Sequence, residues 1–163
     1  MTNTIQQNNI VFKIADTKQE FNAAKNLFQQ YAQSLDIDLC FQNFNDELIT
    51  IEKQYKKPAG ALLLAYKNNS AVGCAGIRQL DKETAELKRM FVQPEYRQFK
   101  IGKKILELAI DIAKNLKYKR IRLDTLPTMT KAQSLYRAFG FYEITPYRFN
   151  PVEETVFMEK KLD

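Results

Sequence analysis

Residues 90–106 of this chain read Met90-Phe-Val-Gln-Pro-Glu-Tyr-Arg-Gln-Phe-Lys-Ile-Gly-Lys-Lys-Ile-Leu106 and contain its most informative pattern. Before it, residues 84–92 alternate in polarity and predict a strand with residues 86, 88, 90 and 92 on one face. After it, apolar residues recur at helical spacing and predict an amphipathic helix over residues 101–116. A strand therefore leads through a short turn into a helix.

That turn has the properties of an anion site. The first N–H groups of a helix lack intrahelical acceptors, and the helix dipole makes this end positive. Arg97, Lys100, Lys103 and Lys104 add charge, and Gly102 leaves the backbone accessible. Cations at a helix N-terminus cost about 0.3–1 kcal/mol each, which a bound anion would reverse. The alternatives are basic residues that only decorate the helix, or a nucleotide site. We favour a pyrophosphate.

Elsewhere, the same patterns predict an α/β (α+β) chain with one domain over residues 1–163. Thr17 and Glu20 form a predicted capping box for a first helix, and Asn68-Asn69 a predicted hairpin turn. The remaining predicted elements are strands at 10–15, 61–67, 71–79, 120–124, 141–144 and 155–160, and helices at 45–55 and 130–139.

Composition excludes several classes of protein. The chain has 163 residues and no histidine, so histidine-dependent triads and histidine-ligated metal sites are excluded. Cys40 and Cys74 stand far apart, and we interpret both as buried apolar residues. No apolar run is long enough to cross a bilayer, which predicts no membrane partner and a cytoplasmic location. The net charge of +6 invites a polyanion, but no basic block predicts a nucleic-acid partner.

Two segments resemble the GNAT superfamily of N-acetyltransferases. The turn resembles the pattern Q/R-x-x-G-x-G/A, with Arg97 at its first position, Gly102 at its last and Lys100 where the middle glycine usually stands. Residues 132–141, Ala-Gln-Ser-Leu-Tyr-Arg-Ala-Phe-Gly-Phe, resemble the pattern A-x-x-L-Y-x-x-x-G-F. Met129 replaces an asparagine that is often found three residues before that alanine.

The resemblance implies a mixed, mostly antiparallel sheet of about six or seven strands, with splayed central strands and about four helices. It implies acetyl-CoA as co-substrate, no metal, and a homodimer, which members often form. Pantetheine would pair with the strand that ends at Val92, and the turn would hold the pyrophosphate. The implied cofactor-binding residues are Met90, Phe91, Val92, Arg97, Gln98, Phe99, Lys100, Ile101, Gly102, Lys103 and Tyr136.

The resemblance also places two catalytic residues. Glu86 is the candidate general base, acting directly or through a water. The alternatives are an ion pair with Lys88 or Arg78, or a water chain with no dedicated base. Tyr136 is the candidate general acid for the thiolate of CoA, and its alternative is a packing role. Candidate acceptor residues are Arg78, Lys88, Asp124 and Tyr147, and the cations Arg78, Lys88 and Arg89 favour an acceptor that carries a carboxylate.

The sequence thus predicts an enzyme that transfers an acetyl group from acetyl-CoA to a primary amine of a small molecule. One alternative is a module that senses acetyl-CoA without turnover, motivated by Lys100 and Met129. Another is a nucleic-acid-binding protein, motivated only by the net charge.

Overall fold

A computed structural model describes residues 9–35, 39 and 43–163 of the chain. Cys40 lies outside the described residues. The strands are β1 (Ile10–Ile14), β2 (Ala61–Lys67), β3 (Ser70–Gln79), β4 (Thr84–Val92), β5 (Arg120–Thr125), β6 (Tyr142–Ile144) and β7 (Val156–Lys161). The helices are α1 (Lys18–Ser34), α2 (Phe44–Ile49), α3 (Ile51–Gln54), α4 (Ile101–Asn115) and α5 (Thr130–Ala138), with a 3₁₀ helix over Pro94–Phe99.

The seven strands form one mixed sheet in the order β1-β2-β3-β4-β5-β7-β6. Its neighbours are antiparallel except β4 and β5, which are parallel. Their pairing joins Thr84–Glu86 to Arg120–Arg122 and ends there, although both strands continue. The two central strands therefore splay apart, as the resemblance implied, and leave an open edge of β4.

A bulge interrupts β4 at this open edge. Cys74 pairs with Phe91 and Gly76 pairs with Lys88, so β4 contains one more residue than β3 between these two pairs. Arg89 takes the left-handed conformation, with φ of 56°. Because the bulge shifts the alternation, Leu87 and Val92 share one core cluster, whereas Phe91 belongs to another. The prediction that Val92 shares a face with Glu86 was therefore wrong.

Helices cover both faces of the sheet and divide the core into two clusters. Ile101, Ile105 and Ala109 of α4 pack with Ile77 and Leu87 on one face. On the other, Phe21 and Phe28 of α1 pack with Leu62, Leu64 and Tyr55. The ring of Tyr55 lies against Gly76, where an added Cβ would meet Cε1 at 2.4 Å. Burial of these apolar side chains stabilises the sheet, with each contributing about 1.5–3 kcal/mol.

The predicted helix over residues 45–55 is two short helices, α2 and α3, that meet at Thr50. The hydroxyl of Thr50 donates to the carbonyl oxygen of Asp46 at 2.6 Å. The branched side chains of Ile49, Thr50 and Ile51 disfavour a continuous helix, and the hydroxyl offers the backbone another hydrogen bond. Glu47 of α2 binds Arg89 of β4, and Gln54 of α3 accepts a hydrogen bond from Arg78 of β3, so both short helices contact the sheet.

None of the helices in the described part of the chain is both long and apolar enough to span a membrane.

Candidate active site

A cleft of about 740 Å³ opens where β4 leaves β5. One wall is the open edge of β4, including Met90, Phe91 and Val92. The opposite wall is formed by the end of β5, including Asp124, and by α5, including Tyr136. The unpaired edge of β4 presents backbone N–H and C=O groups to the cleft, and an extended amide ligand can pair with such an edge as an added strand.

Positive charge gathers at the α4 end of the cleft. Arg97, Lys100, Gly102 and Lys103 line it from the predicted turn, and Lys131 of α5 lines it from across the opening. The helix start carries no side-chain cap and has no acidic residue in its first turn. Its N–H groups and dipole are therefore uncompensated among the described contacts, which suits a phosphate.

The turn itself is built by Lys100 and Arg97. Lys100 stands at the N-cap of α4 with φ of 59°, the left-handed conformation that glycine adopts most readily. The Arg97 Nε donates to the carbonyl oxygen of Val92 at 2.9 Å, which ties the turn to the end of β4. Two predicted cofactor residues face elsewhere: Ile101 is buried in the core, and Phe99 packs beside Tyr96 under the ammonium of Lys67. Gln98 is exposed and is not part of the cleft lining.

Tyr136 lines the inner end of the cleft. Its ring packs against Phe141 at 5.7 Å between centroids, and only 7% of the residue is exposed. Burial, with the nearby groups Tyr31 and Asp124, raises the pKa of the Tyr136 hydroxyl. Tyr136 therefore keeps its proton at neutral pH, as a general acid must.

Glu86 lies on the other side of β4 in an ionic network. Its carboxylate accepts from Arg78 Nε at 3.0 Å and from the Tyr147 hydroxyl at 2.9 Å, and it also binds Arg148. Burial raises the pKa of this carboxyl, but the charges of Lys88, Arg148 and Arg78 outweigh burial and hold it below its usual value. The contact with Arg78 is the ion pair that the sequence left as an alternative to catalysis. Glu86 as general base stays a prediction.

A second pocket, of about 620 Å³, lies beside this network. Arg78, Tyr147 and Arg148 line it together with Gln54 and Glu47. Arg78 Nη1 donates to Gln54 Oε1 at 2.7 Å, and the Arg148 guanidinium lies over the Tyr147 ring at 5.2 Å. Arg78 and Arg148 share the single carboxylate of Glu86, while Asp46 and the Arg89-paired Glu47 also line this pocket, so the lining carries charges of both signs.

Lys88 of β4 and Asp124 of β5 interact through their opposite charges. Lys88 is 3% exposed, and burial, followed by the charge of Arg89, lowers its pKa to about 8. The negative charge of Asp124 opposes this fall and raises the pKa of Lys88. The same charge raises the pKa of Tyr31 and of Tyr147. Among the described residues, the Oδ2 atom of Asp124 is buried without a hydrogen-bond partner.

Comparison with known proteins identifies the family. The model of the acetyltransferase (GNAT) family matches residues 21–141. The chain belongs to the GNAT family of acetyltransferases. An uncharacterized N-acetyltransferase of Schizosaccharomyces pombe is 33% identical over 160 residues, which cover 97% of this chain and 98% of the relative. The IAA acetyltransferase of Azospirillum brasilense is 36% identical over 109 residues, covering 65% of this chain and 71% of the relative.

Solved structures agree with this membership. A GNAT-family acetyltransferase of Staphylococcus aureus has a TM-score of 0.78 and 28% identity, covering 94% of this chain and 99% of that one. A Salmonella typhimurium protein solved with its cofactor acetyl-CoA shares the fold at a TM-score of 0.68 and 18% identity, covering 96% of this chain and 95% of that one. The predicted family and fold are confirmed, and the GNAT chain is an acyltransferase enzyme.

Sequence reasoning missed some residues of this GNAT site. Arg148 belongs to the Glu86 network and Lys131 to the mouth of the cleft, yet neither stands in a family segment. Arg148 stands 62 residues from Glu86, next to Tyr147 in a loop with Pro146 and Pro151, and only that concentration of aromatic and basic residues signals it. Tyr31 of α1 also lines the cleft. Its helical spacing from Ala24 and Phe28 indicates a buried helix face but not contact with a ligand.

Proposed function

We propose that this protein transfers an acetyl group from acetyl-CoA to a primary amine of a small molecule. The observation that supports it best is the cleft between β4 and β5, whose open strand edge runs to a basic helix start. A ligand with an amide-rich arm and a diphosphate matches both parts of this cleft. Acetyl-CoA has both, and the structural relative from Salmonella typhimurium holds it.

In this proposal, different groups of the chain bind the pantetheine arm, bind the diphosphate and donate a proton to the leaving thiolate. The edge of β4 from Leu87 to Val92 pairs with the pantetheine arm, and an N–H group of this edge polarises the thioester carbonyl. The start of α4, with Arg97, Lys100 and Lys103, holds the diphosphate. Tyr136, whose burial keeps it protonated, donates to the departing thiolate.

The second pocket supports an acceptor that carries a carboxylate. Arg78 and Arg148 both line it, and their side chains are 22% and 23% exposed. Arg89, which the sequence added to the carboxylate-binding set, is instead held by Glu47 in a buried pair. We therefore assign the anion-binding role to Arg78 and Arg148, because these two guanidinium groups share one carboxylate, that of Glu86, whereas Arg89 has the Glu47 carboxylate to itself.

Release of free thiol from acetyl-CoA tests the proposal. The purified chain is incubated with acetyl-CoA and each member of a panel of amino acids, other aliphatic amines and polyamines. We expect thiol release above the amine-free rate with at least one acceptor, and a preference for acceptors with a carboxylate. Preference for polyamines would contradict the assignment of an acceptor that carries a carboxylate, but not the transfer of an acetyl group.

A rise in melting temperature with acetyl-CoA but no thiol release with any amine would contradict the enzyme and favour the sensor alternative. The proposal includes a cytoplasmic location, a homodimer, a single domain, and no metal, membrane or nucleic-acid partner.

A further inference from the structure

Within the proposed function, the cleft contains a carboxylate whose contacts leave it available. Asp124 is half-buried on β5, in register with Phe157 of β7, and lines the cleft with Tyr136 and Leu87. Its Oδ2 atom is buried and lacks a hydrogen-bond partner among the described residues. A buried acceptor atom left unpaired costs about 1–3 kcal/mol, so such an atom calls for an explanation.

Glu86, the other carboxylate of the site, has the opposite character. Arg78, Tyr147 and Arg148 occupy both of its oxygens, and its pKa is held below the usual value. To accept a proton from an ammonium group, Glu86 would have to give up contacts with two guanidinium groups. Asp124 Oδ2 accepts no hydrogen bond among the described residues, and the charge of Lys88 is the interaction that protonation of Asp124 would weaken.

The groups that interact electrostatically with Asp124 are also compatible with a cationic substrate. They are Lys88 from β4, Tyr31 from α1, Tyr136 from α5 and Tyr147 from the loop after β6. Three of the four are tyrosines whose raised pKa values keep them neutral. Lys88 is the cation in this set, and burial lowers its pKa to about 8, so it loses its charge at a lower pH than an ordinary lysine. Arg89 also lines the cleft, and Glu47 neutralises it in a buried pair.

We propose that Asp124 receives the acceptor as an ammonium ion and takes up its proton, so that the acceptors of this enzyme are basic aliphatic amines. This inference rests on the proposed function. The ammonium group gives one proton to Asp124, and the nitrogen lone pair forms the bond to the thioester carbon. The C–S bond then breaks and the sulfur takes the hydroxyl proton of Tyr136. The second proton of the nitrogen returns to the Tyr136 oxygen, and Asp124 releases its proton to water. The balance is ammonium plus thioester to amide, thiol and one proton.

The decisive comparison uses three variants of the full chain. Asp124→Asn removes the charge at nearly constant shape, Glu86→Gln does the same for the other carboxylate, and Asp111→Asn on the exposed face of α4 is the matched control. With the best aliphatic acceptor of the panel, we expect kcat/KM to fall about 10²–10⁴-fold in Asp124→Asn. The acetyl-CoA Kd should stay within twofold, and the control should match the unaltered chain. The loss in Asp124→Asn should shrink as pH rises, because more acceptor then arrives already deprotonated.

Unchanged kcat/KM in Asp124→Asn, with a fall of that size in Glu86→Gln, would overturn the inference and assign the base to Glu86. Absence of turnover by the unaltered chain with every amine would instead overturn the proposed function. A second measurement needs no variant. Benzylamine is protonated at neutral pH and aniline is not, so we expect the unaltered chain to favour benzylamine, and an equal or greater rate with aniline would contradict the inference.

Discussion

Arg89 holds Glu47 through two hydrogen bonds, from Nη2 to Oε1 at 2.7 Å and from Nε to Oε2 at 3.1 Å. The side chains are 4% and 2% exposed, and the Tyr55 hydroxyl donates to the same Oε2 at 2.7 Å. This pair joins the bulge of β4 to α2. It therefore holds the strand edge on which the cofactor arm would pair, with Arg89 lining the cleft and Glu47 lining the second pocket.

Removal of one member of this pair should be costly. Glu47→Ala leaves the Arg89 guanidinium buried without its counter-ion, and breaking such a pair costs about 3–5 kcal/mol. We expect the free energy of unfolding in urea to fall by that amount. Asp46→Ala, on the exposed side of the same helix, should change it by less than about 1 kcal/mol. Equal effects of the two substitutions would show that the pair contributes little.

Lys100 occupies a backbone conformation that suits glycine. Lys100→Gly and Lys100→Ala remove the same charge, but only glycine relieves the left-handed φ of 59°. We expect Lys100→Gly to be more stable than Lys100→Ala by about 1–2 kcal/mol. Both should weaken acetyl-CoA binding to a similar extent, which isothermal titration calorimetry measures. A Lys100→Ala variant as stable as Lys100→Gly would contradict the strain.

The buried ammonium of Lys88 should make stability depend on pH. Its pKa falls from 10.5 to about 8 on folding, so the unfolded chain holds more protons between these values and stability rises with pH there. The contribution has a slope of up to about 1.4 kcal/mol per pH unit. Lys88→Met should abolish this contribution. The free energies of unfolding of the two proteins, measured in urea, should therefore differ less at pH 9.5 than at pH 7.

Cys74 complicates the unaltered protein alone, because burial raises the pKa of its thiol and this lowers stability in the same pH range. Since Cys74 is present in both proteins, the difference between them isolates Lys88. An offset that is constant from pH 7 to 9.5 would show that Lys88 titrates normally.

Loss of the Tyr136 hydroxyl should separate catalysis from binding. Tyr136→Phe keeps the ring contact with Phe141 and removes only the proposed proton donor. We expect kcat to fall about 10²-fold or more while the Kd of acetyl-CoA stays within twofold. Tyr118→Phe, which alters a buried tyrosine bound to the carbonyl oxygen of Ala59, controls for stability effects. An unchanged kcat in Tyr136→Phe would leave this tyrosine a packing role.

Features set by local chemistry could be predicted from the sequence. The Thr17–Glu20 capping box is confirmed, the two asparagines of the β2–β3 turn both have positive φ, and Gly140 follows α5 with φ of 94°. Each depends on residues within four positions of one another. The family segments were equally readable, since they carry both the turn before α4 and the junction after α5.

Features set by contacts distant in sequence could not be predicted. Nothing near Arg89 signals its left-handed conformation in the bulge of β4, or its pairing with Glu47, 42 residues away. Likewise, Glu86 has the strand position of a catalytic carboxylate, and only the fold shows Tyr147 and Arg148 binding it from 61 and 62 residues away. The unpaired oxygen of Asp124 is visible only in three dimensions.

Calorimetric titration with acetyl-CoA at moderate ionic strength measures whether the cleft binds this ligand. We expect one molecule to bind per chain, with weaker binding in a Lys100→Gly, Lys103→Ala double variant and unchanged binding in Lys114→Ala, which alters the far end of α4. No association of the unaltered chain with acetyl-CoA or with CoA would contradict the assignment of the cleft and of every role derived from it.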